Sequence, residues 1–111
     1  MIQFELPIKL VSEANVREHW SKKAKRAKEQ RGLARMLTRG INLTWMFPYH
    51  VIITRYGPGS RKLDFDNLAN SAKHVIDGIA DALGVDDGDT TKITWEVKQE
   101  RGPYKVRIEI K

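Results

Sequence analysis

Tyr49-His50-Val51-Ile52-Ile53-Thr54-Arg55-Tyr56, then Gly57-Pro58-Gly59-Ser60, then Arg61-Lys62-Leu63-Asp64-Phe65-Asp66-Asn67, is the stretch on which the fold turns. Its β-branched and aromatic opening favours a strand, and Gly-Pro-Gly-Ser must be a turn. Beyond Asn67, residues Leu68, Ala72, Val75, Ile76, Ile79 and Leu83 recur on one helical face, and Gly84 supplies the stop. Upstream, Ile2, Phe4, Leu6 and Ile8 alternate with polar residues as in a half-buried strand, with Pro7 favouring a strand end or sheet edge. Ser12 or Asn15 is placed to cap a following helix in which Val16, Trp20, Ala24, Ala27, Ala34 and Leu37 form a narrow apolar stripe ending at Gly40. Downstream, Thr91 to Glu100 and Tyr104 to Lys111 alternate in polarity around Arg101-Gly102-Pro103 and read as a hairpin. The expectation is an α+β fold: a small mixed four-stranded sheet, two helices packed on one face, and a C-terminal β-hairpin, in a single domain spanning residues 1–111.

Composition narrows the function. The 111 residues hold 20 Lys and Arg against 14 Asp and Glu, a formal charge of +6, and no Cys. A disulfide framework and a thiolate zinc site are excluded, and His19, His50 and His74 are too dispersed to read as a local His cluster. No stretch approaches the ~18 apolar residues of a membrane span, and the first residues lack both a basic leader and an apolar run. No membrane association and no secretory signal are expected.

The charge is polarised along the chain. From Arg17 to Arg39 nine basic residues face two acidic ones, and from Asp64 to Asp89 seven carboxylates face only Lys73. A cationic element beside an acidic pocket suits a metal-dependent enzyme acting on a polyanion, the cations holding phosphates and the carboxylates holding the metal. A solvated basic helix attracted to an acidic one explains the charge runs equally well. In an extended segment Asp64 and Asp66 point the same way, about 7 Å apart, and could converge on one hard cation such as Mg²⁺ or Mn²⁺. The natural third donor is the Asp86-Asp87-Gly88-Asp89 loop. If residues 67–83 form one straight helix, roughly 25 Å separates that loop from Asp66, unless the chain doubles back or a dimer completes the pocket. Asp66, Asn70, Lys73 and Asp77 fall on one polar stripe. Each residue also has a purely structural duty open to it: Asp66 as an N-cap, Asp64 in a turn, Lys73 with Asp77 as an i,i+4 pair, and 86–89 as a solvated loop.

The run Arg61-Lys62-Leu63-Asp64-Phe65-Asp66-Asn67-Leu68, with Lys73, Asp77-Gly78-Ile79 and Gly84-Val85-Asp86-Asp87, resembles the RusA family of Holliday junction resolvases of bacteria, prophages and phages. Ser12-Glu13-Ala14-Asn15 is similar to that family's Ser-x-x-Asn turn. The resemblance implies a Mg²⁺-dependent homodimer, without a small-molecule cofactor, that resolves four-way DNA junctions by paired symmetric nicks in the cytoplasm of a bacterial host or phage-infected cell. It implies that Asp64, Asp66 and Asp87 are catalytic metal ligands, that Asp86 supports them, and that Lys73 is the catalytic lysine. This chain carries about three more residues between the Asp-Asn pair and the lysine than the family pattern, and in the shorter register Asn70 takes the lysine position. Arg61, Lys62 and the basic helix, through Lys22, Lys23, Lys25 and Arg26, would hold the DNA backbone. Two other readings compete. One is a restriction-like nuclease built on Glu96-Val97-Lys98, and the other a non-catalytic DNA-binding protein using the 17–39 helix. Trp20, Phe65 and Trp45 could wedge into an opened junction, with core burial the expected use of Trp20.

Overall fold

A computed structural model describes residues 1–11, 18–59 and 62–111. Its elements are β1 (Ile2–Leu6), α1 (Trp20–Arg39), β2 (Tyr49–Gly57), α2 (Phe65–Ser71), α3 (Lys73–Leu83), β3 (Ile93–Arg101) and β4 (Lys105–Ile110). The strands form one mixed sheet in the order β1-β4-β2-β3. Alternation sets its two faces. Leu6, Val51, Ile53, Ile93, Val106, Ile108 and Ile110 are fully buried on one face, in a core shared with Ala34 of α1, Val75 and Ile79 of α3, and Ala72. Each large aliphatic side chain buried this way contributes roughly 1.5–3 kcal/mol. The other face carries Glu5, Lys105, Arg107, Glu96 and Lys98 as paired charges, with Lys105 to Glu5 at 2.8 Å the closest of the pairs given distances. The α+β class and the four-stranded sheet with its helices on one face are as expected.

The hairpin is not. β3 runs parallel to β2 and β4 runs antiparallel to it, so β2 lies between the two strands that sequence reading had paired with each other. The reason is the crossover through α2 and α3, which returns the chain parallel to β2 and leaves β2's other edge for β4. Residues 102–104 cross the end of β2, where the Gly102 N–H donates to the Gly57 carbonyl at 3.0 Å. A side chain at Gly102 would press on the Tyr56 ring, 3.2 Å from Cδ1.

The helix expected over 67–83 is two helices. The Ser71 hydroxyl donates to the Leu68 carbonyl at 2.7 Å, the acceptor that the Ala72 N–H would need, and the Ala72 N–H turns to Ala69 instead, at 3.3 Å. A hydroxyl competing for the backbone in this way ends α2 at Ser71, and α3 restarts at Lys73. The stripe from Asp66 to Asp77 is therefore split between two helices. Gly84 ends α3 with a left-handed φ of 68°, and the Val85 N–H reaches back to the Ala80 carbonyl at 3.1 Å.

α1 begins at Trp20, where the His19 ring accepts the Ser21 N–H at 3.2 Å. The expected caps, Ser12 and Asn15, lie outside the described residues, as does Val16. Trp20 is 73% exposed, not core, because it opens the helix ahead of the buried face formed by Gln30, Ala34 and Thr38. The Gln30 amide donates to the Lys9 carbonyl at 3.1 Å. α1 crosses α3 at Gly78, where a Cβ would strike the Arg31 carbonyl oxygen and come within 2.9 Å of Ala34 Cβ. Arg31 clamps the crossing through two bonds to Asp81, at 2.7 and 3.0 Å.

Candidate active site

Asp64 and Asp66 both sit at the mouth of α2, but not as an extended pair. Asp64 is the N-cap: its carboxylate accepts the Asn67 backbone N–H at 2.9 Å and the Asn67 side-chain amide at 3.0 Å. Asp66 lies one turn-position inside the helix, exposed. Residues two apart on a helix do not face one another, so the alternation argument for convergence fails. Both acids lie at the helix N-terminus, where negative charge complements the exposed N–H groups.

The third acid stands on the loop between α3 and β3, which is organised by its own aspartates. Asp86 accepts the Gly88 N–H at 3.0 Å. The Asp89 carboxylate accepts the Thr91 hydroxyl at 2.6 Å and the Thr91 N–H at 3.1 Å, and these bonds hold its pKa below the ordinary carboxylate value. Asp87 contributes its backbone: its carbonyl accepts the Trp95 indole N–H at 2.9 Å. The Asp87 carboxylate, like that of Asp66, makes no hydrogen bond or ion pair among the described residues.

Trp95 thereby links the two acidic segments. Its ring lines an apolar cavity of about 250 Å³ with Phe65, Leu68 and Ala69 of α2, Ile76 of α3 and Val97 of β3, while its nitrogen holds the Asp87 segment. Phe65, between the two aspartates, is 81% exposed. The start of α2 is fixed to β3 by the Gln99 amide, which donates to the Leu63 carbonyl at 2.7 Å and accepts the Leu63 N–H at 3.0 Å. Trp95 and Gln99 are four residues apart on one strand face, about 13 Å. The two acidic segments thus share one side of β3 at separate points along it. Among the described residues no group of three or more His, Asp or Glu is close enough to hold a metal ion within one chain.

Lys73, the first residue of α3, is exposed and forms no ion pair with Asp77 among the described residues. On α1, Lys22 and Lys25 are exposed, Lys25 lies 3.9 Å from Glu29, Arg26 pairs with Glu18, and Lys23 is half-buried. Lys62 is exposed, and Arg61 lies outside the described residues. Glu96 and Lys98 occupy the sheet face opposite Trp95, where Glu96 meets Lys98 at 3.8 Å and His50 at 3.5 Å. That separates them from the Asp87 segment and leaves the restriction-like arrangement without its upstream acid. In the sequence Trp95 is one apolar position in the alternating run Thr91 to Glu100. Its role as a tie needed the loop geometry.

No helix among the described residues is long and apolar enough to cross a membrane. No family model matches the chain. Over 78 residues, 66% of its length, the chain is 37% identical to an uncharacterized protein of Xylella fastidiosa, of which this match covers 51%. The chain therefore spans about half the length of that relative.

Proposed function

We propose that the chain is a Mg²⁺-dependent endonuclease of the RusA kind, resolving four-way DNA junctions by paired symmetric nicks as a homodimer. One observation carries the reading. Among the described residues Asp66 and Asp87 keep exposed carboxylates free of internal partners, on two segments tied to the same tryptophan, whereas Asp81, Asp86 and Asp89 are each engaged in ion pairs or turns. Exposed oxygen donors of this kind fit a hard cation that keeps much of its water and needs one or two carboxylates besides substrate phosphate. Asp64 and Asp66 would hold it from α2, with Asp87 and Asp86 supplied by their loop or by the second protomer. Bound there, Mg²⁺ supplies Lewis-acid activation of the scissile phosphate and of water.

The chain's own residues do the rest. Lys73 offers its ammonium group to the negative charge that grows on the phosphate as the bond breaks. Lys22 and Lys25 project into solvent from α1 and attract the DNA backbone.

The test is one set of gels with an end-labelled four-way junction and a matched linear duplex, in Mg²⁺ and in Ca²⁺. Wild type should nick the junction in symmetric pairs with Mg²⁺ alone. Asp66→Asn and Asp87→Asn should lose at least about a hundredfold in rate, the scale of removing a charge-stabilising group, while binding the junction as before. Variants that cut like wild type would refute the assignment. Junction binding by wild type without cleavage would favour the DNA-binding module built on α1.

A further inference from the structure

A second cavity lies where β2 ends. About 90 Å³ in volume, it is walled by Arg55 and Gly57 of β2, Gly59 of the following turn, Lys62, and Gln99, Glu100 and Arg101 of β3. The parallel register sets Arg55 opposite Gln99 and Gly57 opposite Arg101, so this wall belongs to the helix-covered face at the strand ends. Most cations with pairings described above are spent on carboxylates: Arg26 on Glu18, Arg31 on Asp81, Lys105 on Glu5, Arg107 on Glu109. Arg55, Lys62 and Arg101 have no carboxylate within ion-pairing distance among the described residues. Three unpaired cations around one small cavity repel one another, and what relieves that repulsion is an anion.

The cavity is also shaped in advance. The Arg55 Nε donates a long hydrogen bond to the Leu10 carbonyl at 3.4 Å, and the outer nitrogens lie beside Gly57. A Cβ on Gly57 would sit 3.2 Å from Nη1 and would push the guanidinium aside by a few tenths of an ångström, so glycine leaves it undisturbed at the strand end. Among the described residues of the wall Glu100, on the alternate side of β3, is the only acidic one, leaving a net excess of two positive charges there. The planar forks of two arginines match the geometry of a phosphate better than that of a single-point anion.

We propose that this cavity binds a phosphate group. Resting on the nuclease reading above, its occupant is a backbone phosphate of the DNA strand that passes the mouth of α2. The connection is direct. Gln99, which lines the cavity, holds Leu63 by two hydrogen bonds, and the next residue is Asp64. A phosphate gripped here fixes the strand relative to Asp64 and Asp66, which makes Arg55 and Arg101 positioning residues rather than catalytic ones.

Two measurements test this, using wild type, Lys62→Ala with Arg101→Ala, and Lys105→Ala as a control on the uncovered sheet face. In the first, inorganic phosphate is titrated while the amide resonances of Gly57 and Gly59 are followed. Wild type and the control should show saturable shifts that the double variant loses. In the second, anisotropy of a labelled junction in Ca²⁺ is read across a salt series. The double variant should bind about tenfold more weakly at ~0.1 M salt and lose about one unit of salt slope, while the control keeps both. Unshifted glycine amides in wild type, or a double variant with the wild-type affinity and slope, overturn the proposal. A wild type that takes up phosphate but binds no DNA refutes the nuclease reading and leaves the phosphate site standing.

Discussion

Replacing Gly78 by alanine should destabilise the protein, reversing the usual sign of that substitution. Inside a helix, Gly→Ala ordinarily gains up to about 1 kcal/mol by restricting the unfolded chain. At Gly78 the added methyl would lie 2.9 Å from Ala34 Cβ and 3.1 Å from the Arg31 carbonyl carbon, and would strike the carbonyl oxygen itself. Comfortable carbon contacts need about 3.5–4.0 Å, so α1 must retreat by about 1 Å. That retreat opens the packing of Ala34 against α3 and stretches the Arg31–Asp81 bonds of 2.7 and 3.0 Å. Overpacking costs about 1–3 kcal/mol, and the net loss should be about 2 kcal/mol, a fall in Tm of about 10 °C for a domain of this size. Urea and thermal melts followed by circular dichroism measure it. The paired control is Gly32→Ala, midway along α1 with nothing within 4 Å of the new methyl, which should gain about 0.5–1 kcal/mol. A Gly78→Ala protein as stable as wild type would mean that α1 does not cross α3 at this point.

Three further outcomes are expected. Arg31 holds the Asp81 carboxyl below its ordinary pKa, chiefly through their hydrogen bonds. Its stabilisation is therefore fully present above the unfolded value of about 4 and is lost as pH falls through the lower folded value. Melting curves of wild type and Asp81→Asn should differ at neutral pH and converge in strong acid, and a gap that persists there would refute the pairing. Trp95→Phe removes the donor to the Asp87 carbonyl, costing about 1 kcal/mol; amide hydrogen exchange should quicken in residues 86–89, and exchange unchanged there would deny the tie. Thr54 is fully buried, and its hydroxyl has no hydrogen-bond partner among the described residues. Thr54→Val should raise stability by about 1 kcal/mol in the same melts, and a loss would reveal a partner for the hydroxyl.

The elements that local pattern governs were legible. Period-2 alternation gave β1, β3 and β4, and the stripe Leu68, Ala72, Val75, Ile79 marked the buried face of α2 and α3. What failed depended on contacts distant in sequence. Arg101-Gly102-Pro103 has the composition of a hairpin turn, and only the strand-helix-strand order of 49–101 signals that β3 runs beside β2, so that the turn must span β2's end. The break at Ala72 came from one hydroxyl, Ser71, competing for the Leu68 carbonyl, which no periodicity records. Trp20 was drawn into the stripe by its spacing, although it precedes every buried residue of α1. At the candidate site, residue identities were readable but geometry was not. The cap position that the sequence reading gives to Asp66 is taken by Asp64, two residues earlier, and Asp66 falls in the first turn. Arg55 and Arg101 stand 46 positions apart and meet only through the parallel register.

β1 lies at the sheet edge beside β4, with Leu6 opposite Val106. As a nascent chain leaves the ribosome, the first strand must wait some hundred residues for its neighbour. Until then Ile2, Phe4 and Leu6 are an uncovered sticky segment, and β2 has β3 on one flank but nothing on the other. β3 completes one flank of β2 as soon as the crossover helices are made, and β4 then fills the gap between β2 and β1. Release of a truncated product lacking β4 would leave β1 and one side of β2 open at once, a species marked for chaperone capture or proteolysis.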